Sequence, residues 1–531
     1  MQQRFVITAG AALALALAAG PAAAQGQSLE EKIQSMEQQL QELKQELHQQ
    51  QAAPPPAAPS PAPAPAANAA AAAPNPAGEE VAPEKSEAFY EKLMERVKLG
   101  GYGSFRFEHN SLPQIGDTFT LRRVVLTVDG NIAPRLRAYT EVEFERFRNL
   151  EVDKTLTSED NGLLAQQEIE TKGEGEISLE QAWLQYDLYD WLRLRAGAVL
   201  VPLGRFNINH DDDKWNLPRR SLVDRGVPVL PVEAAWDELG AGFNGDIPIT
   251  DQVLSNYQFY VMNGVSLDTS FETVAQARHG DTTLVETEVE VSPQNGSFDI
   301  DNHSAKALGG RYVISPQLGA ELGGSFYWGR YTPDFLPNET LYALSGDGLY
   351  TYGPFQLEGE YMYTHFGGIE HVARSFAEQA INSESEIENE QVENEVDFEL
   401  ANLADSKQGY WLEFRYSFWP EFLNQTPLGY PFEHPQLIAV FRPEQVWFGG
   451  LVNQISFQDG VLTAFDKENT RLNRLTWGIA YRPVPLVAFQ LAVEWYRAKD
   501  GTSLSQVTNF LPAGPGQNEA NAFLLGAAFG F

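Results

Sequence analysis

In the stretch WLRLRAGAVL, Arg193 and Arg195 stand two positions apart, with Leu192, Leu194, Ala196 and Ala198 at the alternate positions. Guanidinium groups stay charged at physiological pH and present forked donors that fit carboxylate or phosphate oxygens. Two on one side of an extended chain can therefore receive an anion. Arg123 stands in the same way beside Val124 and Leu126. Arg135 and Arg137 flank Leu136, with Glu141 and Glu143 following at alternate positions, and Arg415 follows Glu413 at the same spacing. Two outcomes stay open. The arginines attract anions, or the carboxylates neutralise them and leave little net field.

A second cluster of charge lies at Arg205, His210, Asp211, Asp212, Asp213, Lys214, Arg219 and Arg220. The three aspartates can bind a divalent ion weakly, or form a polar loop held by Arg219, Arg220 and Arg225. The eight histidines are scattered, with His365 and His371 the closest pair, so no metal centre and no cofactor is expected. No Walker A, G-x-G-x-x-G, H-E-x-x-H or G-x-S-x-G motif occurs, and nothing points to an enzyme. There is no cysteine, which excludes disulfides, thiolate metal sites and a cysteine nucleophile. A formal net charge of −35 argues against nucleic acid as a partner.

These charges need a scaffold that holds them on one face, and period-two alternation supplies it. In RLRAYTEVEFE, Leu136, Ala138, Thr140, Val142 and Phe144 alternate with charged residues. In GYWLEFRYSF, Tyr410, Leu412, Phe414, Tyr416 and Phe418 alternate with Trp411, Glu413, Arg415 and Ser417. LVAFQLAVEWY repeats the pattern, and NAFLLGAAFGF carries Phe523, Leu525, Ala527, Phe529 and Phe531 on one face. A soluble sandwich strand has the same period. Short turns such as DIPITD, ISPQL, YGP and RPVPL, alternating with long polar loops, favour an outer-membrane barrel instead. About 16 antiparallel strands are expected over residues 98–531. The apolar faces then meet lipid, since an arginine there costs ~2–4 kcal/mol at the bilayer midplane. The charged faces, with Arg123, Arg135, Arg137, Arg193, Arg195 and Arg415, line the lumen.

Residues 1–24 read as a secretory signal peptide, with Arg4, an apolar core and cleavage after Ala22-Ala23-Ala24. Residues 25–51 read as a coiled-coil stalk: Leu29, Ile33, Met36, Leu40, Leu43 and Leu47 keep heptad spacing, with a capping box at Ser28 and Glu31. Residues 52–97 hold an extended Pro/Ala-rich linker and a short amphipathic helix. The fold class expected is thus all-β, a transmembrane barrel with an α-helical periplasmic stalk. The acidic loop between Glu370 and Asp405 can bridge divalent cations to lipopolysaccharide phosphates, or be a solvated surface loop.

The segments FTLRRVVLTVDGNIAPRLRAYTEVEF, LEQAWLQYDLYDWLRLRAGAVLVPLGRFNINHDDDKW and RRSLVDRGVP resemble the phosphate-selective porin O and P family. LTWGIAYRP, at residues 475–483, is similar to that family's penultimate hairpin. The resemblance implies a homotrimer of 16-stranded barrels in the outer membrane of a Gram-negative bacterium, with lipid and lipopolysaccharide around it. It also implies an inward-folding constriction loop beginning near Val201-Pro202. The family's arginine ladder has candidates here, but the lysines it places at the constriction have no visible counterpart. The expected function is passive diffusion of small polar or anionic solutes, with phosphate or carboxylates as candidates. A structural anchor, tethering the envelope through the stalk, is the alternative.

Overall fold

A computed structural model describes residues 96–531, apart from 147–149, 160–161, 172–175, 225–228, 280–281, 297, 299–303, 376–390, 401–402, 459–460 and 509. The expected leader and stalk, and nearly all of the linker, lie outside the described residues. The alternating segments form strands. β1 (Val97–Asn110), β2 (Thr118–Ala133), β3 (Leu136–Glu145), β4 (Leu150–Glu159), β5 (Gly162–Thr171), β6 (Glu176–Tyr189) and β7 (Leu192–Leu200) come first. β8 (Asp237–Pro248), β9 (Leu254–Met262), β10 (Ser266–His279), β11 (Thr282–Gln294), β12 (Ala307–Gln317), β13 (Ala320–Arg330) and β14 (Thr340–Tyr352) follow. The last are β15 (Phe355–Phe366), β16 (Gln391–Leu400), β17 (Ala404–Phe418), β18 (Gln436–Gln458), β19 (Val461–Arg482), β20 (Val487–Ala498) and β21 (Glu519–Gly530).

Sixteen of them close an antiparallel barrel: β1–β3, β6–β9, β12–β15 and β17–β21. Closure is the pairing of β21 with β1, Phe529 opposite Gly103 and Leu525 opposite Phe107. A closed ring leaves no unpaired backbone in the hydrocarbon, which is what a membrane requires of β-structure. Most turns on one rim are short, such as 134–135, 190–191, 318–319 and 353–354, whereas the other rim carries long loops at 146–175, 201–236, 263–306 and 367–403. We call these the turn rim and the loop rim.

The loops are not all irregular. β4 and β5 form a separate hairpin. β10, β11 and β16 add to the outer part of β18, with β11 and β16 running parallel. Part of the segment expected as an acidic loop is therefore strand β16.

Outward positions are apolar, as the pattern requires: Leu121, Leu194, Leu412, Phe414, Trp477, Leu491 and Phe529 are all exposed. The interior is filled by loop 201–236. Its Val201, Leu203, Phe206, Leu222, Val223 and Trp236 are fully buried against inward residues of the wall such as Met362, Trp411 and Val446. Phe206 stacks on Trp215 at 4.7 Å between ring centroids, and Trp411 meets both edge-on at 6.2 and 5.5 Å. The loop's entry needs Gly204, which has φ +73°. A Cβ there would also lie 2.1 Å from Glu360 Oε1.

Candidate functional site

The inward loop is pinned to the wall almost all the way round. At its start Gly204 N donates to Ser325 Oγ (2.8 Å), and Phe206 N to Glu360 Oε2 (3.1 Å). Arg205 opens a one-turn helix, α1 (Arg205–Ile208), and bonds Glu358 (2.5 Å) and Glu321 (2.8 Å). On the opposite wall Asp212 accepts from Ser104 Oγ (2.6 Å) and faces Arg123 Nε (3.4 Å) and Arg220 Nε (3.4 Å). Arg219 donates to Glu108 (2.5 Å) and Glu494 (2.9 Å). Further along, Leu222 N donates to Glu444 Oε1 (3.0 Å), and Thr364 Oγ1 donates to Val229 O (2.5 Å).

Beneath Arg219 and Arg220 lies a ladder of buried charges. Arg442 and Arg474 are fully buried, as are Glu413 and Glu494, and Glu444 is nearly so. Arg474 Nε donates to Glu444 (2.5 Å), Arg442 Nε lies 3.3 Å from the same carboxylate, and Arg442 Nη1 reaches Glu413 (3.3 Å). Both arginines also donate to loop carbonyls: Arg442 to Arg219 O (2.6 Å) and Arg474 to Arg220 O (2.5 Å). Charge ladder and loop thus form one network. Such a network holds its shape because any single unpaired member would be a desolvated charge.

Most of the arginines singled out in the sequence are neutralised. Arg123 is buried on Glu143 (2.8 Å), Arg137 is bidentate on Asp129 (2.7 and 2.8 Å), and Arg193 pairs with Asp246 (2.5 Å). Arg415 pairs with Glu413 and with Glu358 (2.8 Å). Glu141 accepts from Gln181 (2.5 Å) and Tyr139 (3.2 Å) rather than from an arginine. Arg135 is a correction. It sits in the β2–β3 turn with φ +66°, not on a strand, and donates to Leu188 O (3.0 Å).

Arg195 differs from the rest of the inward set. Both of its bonds go to the neutral Gln185 Oε1 (3.0 and 2.7 Å), and its guanidinium lies 4.0 Å over the ring of Trp183. No carboxylate partner for it is found among the described residues.

The Asp211–Asp213 run is held by cations, Arg220 of the expected set at Asp212 (3.4 Å) and others at its neighbours. Asp211 pairs with Lys214 (2.5 Å) and lies 3.5 Å from His210 Nε2. Asp213 offers its carbonyl to Arg482 (2.9 Å), whereas Arg219 turns to other carboxylates. Arg225 lies outside the described residues. His365 faces outward beside Tyr342, and His371 stands 3.3 Å from Glu339. The sequence reading missed Arg442, Arg474, Glu444 and Arg106, and placed Glu494 on the charged face of its strand without a role. Their signal was the inward phase of strands whose outward residues, such as Phe441 and Trp477, are aromatic.

Burial opposes charge on His210, but Glu180 (3.4 Å) and Asp211 outweigh it and push its pKa up to about 9. Burial likewise opposes ionisation of Asp212, yet Arg123 and Arg220 hold its carboxyl well below the usual range. The histidine's folded pKa lies above its ordinary value of 6.5, so its stabilisation is complete below that pH and lost as pH rises through about 9. A shift of this size corresponds to about 3 kcal/mol. Unfolding midpoints of wild type and His210→Gln, taken from pH 6 to pH 10, should converge at the alkaline end. Parallel curves would contradict the pairing.

Two cavities open toward the loop rim. One of about 240 Å³ is lined by Arg106, Arg122, Arg146, Arg219 and Arg220, with Glu145, Glu233 and Phe510. One nitrogen of Arg220, Nη2, is buried there without a hydrogen-bond partner. The other, about 330 Å³, is acidic, with Glu143, Glu176, Glu180 and Asp237 on its wall. Charged cavities in a closed barrel, beside an inward loop, suit contact with small hydrophilic solutes.

Residues 97–343 match the family model described as phosphate-selective porin O and P. That match lies within the closed sixteen-stranded antiparallel barrel. A curated protein of Aquifex aeolicus (strain VF5) is 23% identical over 251 residues, covering 44% of this chain, and the match spans about half (51%) of that protein's length. Among solved structures, the anion-selective porin from Comamonas acidovorans aligns with TM-score 0.43 and 10% identity, over 82% of this chain and 99% of that one. Salmonella typhi OmpF in complex with daunomycin aligns with TM-score 0.45 and 9% identity, over 82% and 97%.

Proposed function

We propose that this porin passes small anionic solutes, such as phosphate or carboxylates, by diffusion through a lumen with residual positive potential. Arg195 carries the proposal. It is an inward guanidinium that rests on the neutral Gln185 and Trp183, standing on the turn-rim side of the constriction. On the loop-rim side, the basic cavity gives an entering anion a first contact. The pairing of Arg123, Arg137, Arg193 and Arg415 explains why an arginine count overstates the field. The porin works as a homotrimer, with its N-terminal helices bundled in the periplasm below the barrels; the heptad at residues 29–47 supports this arm of the reading.

The test is the reversal potential across a salt gradient in planar bilayers. A unit charge ~7 Å from the ion path in water is worth roughly 0.6 kcal/mol, or about threefold for each sign of ion. Arg195→Ala should therefore weaken anion preference several-fold, while the double change Arg193→Ala with Asp246→Ala, which removes a pair whose charges cancel, should change it little. Cation preference in wild type, or equal effects of Arg195→Ala and the double change, would overturn the assignment.

A further inference from the structure

The outer wall of β18–β21 changes character along its length, and the sheet register aligns the change. Near mid-wall the outward residues are Phe441, Trp477 and Val493. One level up, Pro443, Leu475, Trp495 and Asn521 stand side by side. The next row holds Gln445, Asn473, Arg497 and Glu519, and Trp447 is opposite Arg471 just beyond. Lys499 follows, its backbone N bonded to Arg471 O (3.0 Å). Three cations thus crown the apolar band on one side of the barrel. The chain as a whole has 37 Lys and Arg against 72 Asp and Glu.

Directly beneath them is a cavity of about 500 Å³ on the outer wall, with Tyr410, Pro443, Leu475 and Trp495 on its apolar side and Asn473 and Asn521 on its polar side. The Arg471 side chain is exposed and has no partner among the described residues. Arg497 lies 3.4 Å from Glu519 and 3.8 Å from Asp500, and Lys499 lies 3.9 Å from Glu468. The carboxylates beside Arg497 are largely exposed, and pairs of that kind contribute little. A stronger anion can therefore compete for Arg497, while Lys499 also donates to Asn469 O (2.6 Å).

We infer that this surface binds the phosphorylated headgroup of a membrane lipid in the loop-rim leaflet, with an acyl chain in the cavity below. Three observations converge on that occupant. The site is continuous with the lipid-facing band. Its cations stand at the edge of that band, where long basic side chains reach headgroups while their stems stay on apolar surface. Its donors include two guanidiniums, which fit phosphate in bidentate fashion. In the outer membrane a phosphorylated glycolipid such as lipopolysaccharide has this chemistry. The inference rests on the barrel standing in that membrane, not on which solute it passes.

The experiment uses the full chain in detergent, purified lipopolysaccharide as probe, and native mass spectrometry to count bound lipid. The triple variant Arg471→Glu, Arg497→Glu, Lys499→Glu should lower apparent affinity about tenfold or more. Arg471→Lys with Arg497→Lys should lose less. A dephosphorylated glycolipid should bind wild type and triple variant alike, and millimolar inorganic phosphate should not displace bound lipid. Heat-dependent gel migration shows that the variant is folded. Unchanged single-channel conductance separates loss of the lipid site from failure of the porin reading. Lipopolysaccharide retained equally by the triple variant would sink the inference. So would a changed oligomeric state with lipid binding intact, which would make the surface a contact between copies.

Discussion

Glu444→Leu is expected to destabilise the barrel by about 3–5 kcal/mol, the usual cost of removing one partner from a buried ion pair. The carboxylate takes Arg474 Nε at 2.5 Å, lies 3.3 Å from Arg442 Nε and accepts from Leu222 N at 3.0 Å. Leucine fills much of the same volume but leaves two fully buried guanidiniums short of an acceptor and a buried amide without a partner. The lumen side is where the loss falls, because Glu444 shares its strand with the outward Pro443 and Gln445, which the change does not touch. Urea unfolding from lipid vesicles measures it. Glu444→Gln keeps one acceptor for Leu222 N and should fall between wild type and Leu. A leucine variant as stable as wild type would show that the ladder does not hold the wall.

Arg219→Ala should cost about 3 kcal/mol and also loosen the constriction. Arg219 joins Glu108 on β1 to Glu494 on β20, and its guanidinium lies 4.6 Å over the Phe510 ring of the β20–β21 loop. Without it both carboxylates keep weaker partners: Arg106 at 3.3 Å from Glu108, and Arg474 at 3.8 Å from Glu494. The cost is therefore expected below that of Glu444→Leu. The inward loop would still hang from Arg442 and Arg474 through its own carbonyls, so the expected result is a noisier and larger conductance rather than a vanished constriction. Arg219→Lys is the sharper control, since one ammonium cannot serve both carboxylates with the geometry of a forked guanidinium. Single-channel recording decides. Conductance and noise identical to wild type would mean that this segment does not border the ion path.

The barrel was legible because its information is local. A period of two, read in RLRAYTEVEFE or GYWLEFRYSF, assigns every side chain to lipid or lumen once one face is greasy. Contrasting turn and loop lengths then give the antiparallel order. The inward fold after Val201-Pro202 was implied by the family resemblance, not by alternation.

Pairing of charges was not legible, because it depends on register between strands far apart in sequence and on where the loop lies. Arg193 and Arg195 look alike in the chain. Only the neighbouring strands β6 and β8 set Asp246 beside the first and Gln185 beside the second. Arg135 read as a strand residue because alternation continues through the tight turn that holds it. Arg219 and Arg220 looked like partners for the nearby aspartates. In the folded protein Arg220 does approach Asp212, while Arg219 turns to Glu108 and Glu494 on the adjoining wall. Alternation sorts residues by face at no cost in long-range information. Neutralisation of a buried cation needs a partner within about 4 Å, and which carboxylate arrives there is decided by barrel closure and the path of residues 201–236.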